Sequence, residues 1–70
     1  MQDLNMLKRI RKSKGMTQQA AADAAGISLR QYQKFDGGER DLRNASFRIG
    51  MAICRVLDIK LEELFGHDDS

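Results

Sequence analysis

The chain has 70 residues, with twelve Lys/Arg against ten Asp/Glu for a net charge of +2, one Cys, one His and no Pro. That length suits one domain near the lower limit for folding without staples, while one thiol and one imidazole exclude an intramolecular disulfide and a Cys/His metal cluster. No apolar run approaches membrane-spanning length, and Met1-Gln2-Asp3-Leu4 enters a basic amphipathic segment with no apolar signal core, so a cytoplasmic protein without a membrane partner is expected.

The charge is unevenly placed. Residues 1–35 carry seven basic groups (Lys8, Arg9, Arg11, Lys12, Lys14, Arg30, Lys34) against Asp3 and Asp23, and residues 36–70 carry five against eight acidic ones. A basic half and an acidic half suit a polyanion on one side and protein contacts on the other. Amphipathic helices also turn charge to water, so the asymmetry alone decides little.

No strand pattern and no repeat of roughly 20–50 residues is visible; the chain reads as all-α, with five helices. The first runs from about Asp3 to Lys14, with Leu4, Leu7 and Ile10 on one stripe and Met6 beside it. Its basic residues cluster in the last two turns, which suits the negative end of the helix dipole. Gly15 ends it. The second runs from Thr17, a capping residue, to about Ala24, through Gln and Ala residues of high helix propensity. Ala20, Ala21, Ala22, Ala24 and Ala25 bury little area each but let neighbouring helices approach closely.

Gly26 then offers the left-handed backbone that stops a helix and turns the chain. Ser28 restarts it, and Gln31 three residues on completes a capping box. Helix, short Gly-containing turn, capped helix: this is the sequence form of a helix-turn-helix. The third helix, about Ser28 to Asp36, has Tyr32 and Phe35, with Ile27 just before, on its apolar side. Leu29, Arg30, Gln33 and Lys34 fall largely on the free side. Long donor-bearing side chains there are what major-groove base reading needs; they equally suit the solvated face of an ordinary bundle.

Gly37-Gly38-Glu39-Arg40-Asp41-Leu42-Arg43 is a polar connection. Its glycines can end the helix and leave N–H groups open to a phosphate, or simply permit the turn. The fourth helix spans about Asn44 to Leu57, capped by Asn44 or Ser46, with Ala45, Ile49, Ala52, Ile53, Val56 and Leu57 on its buried side. Leu42 shares that spacing, which allows a start one turn earlier. A short fifth helix, about Leu61 to Phe65, closes the core with Leu61, Leu64 and Phe65 before Gly66. The domain is thus placed at residues 1–66, and His67-Asp68-Asp69-Ser70 reads as a disordered tail.

Nothing in the sequence assembles a catalyst. Cys54 lies in an apolar helix and reads as a small core residue, and His67 falls in the tail. Glu62-Glu63 and Asp68-Asp69 are adjacent carboxylates, which on a helix point apart. Neither an enzymatic site, a metal nor a cofactor is expected.

From Leu7 to Phe65 the chain resembles the phage-repressor (Cro-like, lambda-repressor-like) helix-turn-helix family. The likeness rests on Leu7-x-x-Ile10-Arg11 with Gly15, Thr17-Gln18, Gly26-Ile27-Ser28, Phe35-Asp36, and Leu57-x-Ile59 before the last helix. It implies a compact five-helix bundle that binds double-stranded DNA through the third helix. On matching positions it implies base-edge contacts from Leu29, Arg30 and Lys34, with Ser28 and Gln33 at the margins. Arg30 would grip a guanine edge and Leu29 lie against a thymine methyl. Gln18, opening the second helix, matches a position that touches the DNA backbone, and Thr17, Gly38, Arg40, Arg43 and Asn44 are the further phosphate candidates. Arg11 and Asp36 match an ion pair that fixes the angle of the recognition helix.

The chain departs from the family pattern in four places. Asp36 stands for the usual Glu and is one methylene shorter, which predicts a strained or water-bridged pair. Ala21 stands for Leu and thins the core, where bulky Tyr32 and Phe35 compensate. The connection after Gly38 is longer than usual and lacks its Pro, and Lys60 replaces a capping Ser. A domain this small reads few base pairs, so a homodimer on a palindromic operator is expected. Read as a complete chain without a sensor domain, it would be a repressor controlled by its own abundance. The rival class is a protein-interaction module, such as an antitoxin or assembly factor, using the acidic half to hold a partner protein.

Overall fold

The computed structural model describes residues 6–60 and 62–63. Within them lie α1 (Met6–Ser13), α2 (Gln18–Ala25), α3 (Leu29–Asp36), a 3-10 turn (Leu42–Asn44) and α4 (Phe47–Leu57). The described residues are therefore all-α, with four α-helices rather than five and no strand. The fifth helix, about 61–65, lies outside the described residues except for Glu62 and Glu63, whose Glu63 N–H donates to the Lys60 carbonyl at 2.9 Å. The start of the first helix at Asp3 and Leu4, and the tail 67–70, lie outside them as well.

Three of the helices start on a side chain that feeds an otherwise unpaired N–H. Thr17 Oγ1 accepts from the Ala20 N–H at 3.0 Å, and Ser46 Oγ accepts from Ile49 at 3.2 Å. Ser28 Oγ accepts from the Gln31 N–H at 3.1 Å while Gln31 Oε1 accepts from the Ser28 N–H at 3.4 Å, a reciprocal box. Ser46, not Asn44, is thus the cap of α4. Leu42 does not extend that helix: the Asp41 carboxylate caps a separate 3-10 turn, and Ala45 (φ −77°, ψ 166°) is extended between the two.

The turn between α2 and α3 requires its glycine. Gly26 sits at φ 73°, ψ 28°, where a Cβ is strained, and Ile27 N–H closes back on the Ala22 carbonyl at 3.1 Å. A parallel closure ends α4, where Asp58 takes φ 57° and Ile59 N–H reaches the Cys54 carbonyl at 2.8 Å. Asp tolerates that region better than most residues.

The helix α2 packs against both α3 and α4, and α1 packs against the same two. Ala21 and Ala22 are completely buried at this crossing, which explains why the small face belongs there. Bulk comes from Tyr32, Phe35, Ile53, Leu57 and Leu7, with Leu42 and Ile59 closing the ends. Each large aliphatic so buried contributes about 1.5–3 kcal/mol. Ala45, Ile49, Ala52 and Val56 lie half-buried at the rim. Cys54 is a buried free thiol whose pKa burial pushes up, as suits a core residue. No helix among the described residues is long and apolar enough to cross a membrane.

Candidate nucleic-acid interface

The sides of α3 differ sharply. Tyr32, Phe35 and Asp36 are buried, whereas Arg30, Gln31, Gln33 and Lys34 are exposed and Leu29 is half-buried behind exposed Ser28. Neither the Arg30 nor the Lys34 side chain makes a hydrogen bond or ion pair among the described residues. Two cations one turn apart therefore stand on a free ridge, open to a polyanion.

What holds that ridge at its angle is a fork through the core. Arg11 Nε donates to Asp36 Oδ1 at 2.9 Å and Arg11 Nη2 to Asp36 Oδ2 at 3.3 Å, tying α1 to the last residue of α3. The contact is direct even though Asp is one methylene shorter than Glu. A third donor, Arg11 Nη1, reaches the Met16 carbonyl at 2.8 Å. Burial alone would push the Asp36 carboxyl up, but hydrogen bonds from Arg11 and Gln18 outweigh it and hold the group below its ordinary value. Arg11 is raised in return, first by its hydrogen bond to Asp36. Beside the fork, the Tyr32 hydroxyl is buried without a hydrogen-bond partner among the described residues, and burial, with the Asp36 charge behind it, raises its pKa.

Two candidate contact residues join this cluster. Gln18 Nε2 donates to Asp36 Oδ2 at 3.0 Å, and Gln33 Nε2 donates to Gln18 Oε1 at 3.1 Å. A polar chain thus runs from the buried fork through the start of α2 to the outer face of α3. Sequence reasoning missed it, since Gln18 and Gln33 are paired only by the crossing of α2 on α3.

The remaining phosphate candidates are less free than a polar loop suggests. Gly38 N–H already donates to the Phe35 carbonyl at 3.1 Å, and Gly37 N–H to Gln33 at 2.9 Å. Arg43 forks onto Asp41, with Nη2 2.8 Å from Oδ2, so an incoming phosphate competes with that carboxylate. Arg40 is exposed and lies over the Phe35 ring, 5.5 Å from its centroid, within cation–π range. Asn44 and Thr17 are exposed. The described residues hold no group of His, Cys, Asp and Glu that could bind a metal. Glu62 and Glu63 are exposed, and His67, Asp68 and Asp69 lie outside the described residues.

No curated protein and no solved structure matches the chain. Residues 7–64 match the family described as Helix-turn-helix, a span that takes in α2, α3 and α4, all of α1 but its first residue, and the exposed ridge of α3. With the capped pair α2–α3, the glycine turn between them and the buried fork behind them, that match settles the relationship: the chain belongs to the helix-turn-helix family of the phage-repressor (Cro/C1) type, a family of DNA-binding regulatory domains.

Proposed function

We propose that this protein binds double-stranded DNA sequence-specifically, with α3 in the major groove, and acts in the cytoplasm as a small bacterial or phage repressor. The single observation that carries the reading is the free cationic ridge of Arg30 and Lys34 on a helix locked from behind. Arg30 and Leu29 address base edges, with Ser28, Gln33 and Lys34 flanking them. Thr17 and Gln18 at the start of α2, and Gly38, Arg40, Arg43 and Asn44 beyond α3, lie against the phosphates. A homodimer on a palindromic operator supplies the base pairs that one copy is too small to read.

A gel-shift titration at about 50 and 200 mM salt tests this. Specific binding predicts affinity that falls steeply with salt and is lost in Arg30→Ala and Lys34→Ala. One observation favours a second reading, a protein-interaction module. Phe47, at the start of α4, is 78% exposed, the only large hydrophobic so exposed among the described residues. A module of that kind predicts no shift on any duplex by the folded protein.

A further inference from the structure

Two features of α4 are not explained by the packing of the domain. Phe47, its first residue, is 78% exposed. Gly50, one turn on, is a glycine inside a helix, where only proline is less favourable. No neighbour among the described residues requires it: a Cβ at Gly50 meets no atom within 4 Å, and its backbone is not left-handed. At about 3.6 residues per turn, Phe47, Gly50 and half-buried Met51 lie on adjoining sides of the helix. They make a projecting ring beside an open notch. Exposed Arg48 and Arg55 project roughly a quarter turn away from Phe47, so the strip itself carries no charge and two such strips do not repel.

A ring and a notch three residues apart on one helix complement each other about a two-fold axis. With two α4 helices antiparallel, Phe47 of each copy lies over the partner's Gly50, the reciprocal contact that an isologous interface requires. The missing side chain at Gly50 lets the ring approach the facing backbone closely. One aromatic ring brings only about 150–250 Å² of burial, so the paired strips fall well short of the roughly 1,600 Å² of a stable interface. A contact that small holds partners that something else already brings together. Two half-sites of one operator do so for two copies of this chain, whereas an independent protein has no such tether. We infer that the strip of Phe47, Gly50 and Met51 is the surface by which two copies of this chain meet on adjacent half-sites. This rests on the reading of α3 as the groove-facing helix, and it names the dimer surface which that reading needs.

The test compares binding to a duplex carrying the selected two-half-site motif with binding to a duplex carrying one half-site. The parent, Phe47→Ser and Gly50→Leu are used, each checked by thermal unfolding. The parent is expected to fill the two half-sites cooperatively, the second copy binding roughly 5- to 150-fold more tightly than the first. Phe47→Ser removes that coupling and leaves the affinity for a single half-site and the Tm unchanged. Gly50→Leu also removes it, at an equal or higher Tm, because leucine is the better helix former. Coupling retained in Phe47→Ser overturns the inference, as does a parent that fills its half-sites independently. A fall in Tm and an equal loss of affinity on both duplexes in Phe47→Ser assigns the ring to its own chain, which overturns it as well. Coupling retained in Gly50→Leu alone overturns the seat at Gly50. All of these outcomes leave α3 as the reading helix; a folded parent that shifts no duplex ends that reading and the inference with it.

Discussion

Arg11 Nε lies 2.9 Å from Asp36 Oδ1, joining residues 25 positions apart through the interior of the domain. Asp36 is fully buried and Arg11 only 8% exposed, so neither charge has water to fall back on. Removing one partner leaves the other buried and uncompensated, which typically costs about 3–5 kcal/mol. Arg11→Ala is expected to lose stability on that scale in urea unfolding, far beyond an exposed substitution such as Lys12→Ala. A melting curve equal to the parent's would show that the fork contributes nothing.

The same pair sets an acid limit. Asp36 titrates below its ordinary value of 3.8 in the folded protein, so the folded state keeps the proton off longer than the unfolded chain does. The stability this supplies is complete above the unfolded value and is lost as pH falls through the lower folded value. Unfolding measured between about pH 6 and pH 2 should show the parent losing stability below pH ~4, with that loss much reduced in Asp36→Asn. Parallel curves for the two proteins would exclude Asp36 as its source.

Tyr32 tests how closely the fork is served. Its hydroxyl is buried and has no hydrogen-bond partner among the described residues, so Tyr32→Phe removes a desolvated group without breaking a bond to any of them. A change of less than about 1 kcal/mol, or a gain, is expected. A loss of about 2 kcal/mol or more would show the hydroxyl to be a working partner of Asp36.

The entry into α3 depends on Ser28, whose hydroxyl holds the Gln31 N–H. Ser28→Ala should lower stability by about 1 kcal/mol, read from thermal or urea unfolding. An unchanged value would mean that water replaces the cap at no cost.

These residues also show what the sequence could and could not convey. Gly26, Ser28 and Gln31 act within one turn of themselves, so the stop, the turn and the restart were legible from their order alone. Leu42 misled because periodicity cannot tell a continuous helix from a separate turn on the same face; Asp41 and extended Ala45 separate the two. Arg11 and Asp36 were named only through the family likeness, since no local pattern links residues so far apart. The Gln18–Gln33 contact was invisible for the same reason: it exists only once α2 lies across α3.

The most direct measurement of what α3 does is site selection from a random duplex library, run side by side with the parent, Arg30→Ala and Lys34→Ala. If the ridge reads base edges, the parent enriches a motif with two related half-sites. Arg30→Ala then relaxes one base pair in each half-site at a cost of about 1–3 kcal/mol, and Lys34→Ala weakens binding. A folded parent that enriches no motif, or a motif unchanged by Arg30→Ala, would contradict it.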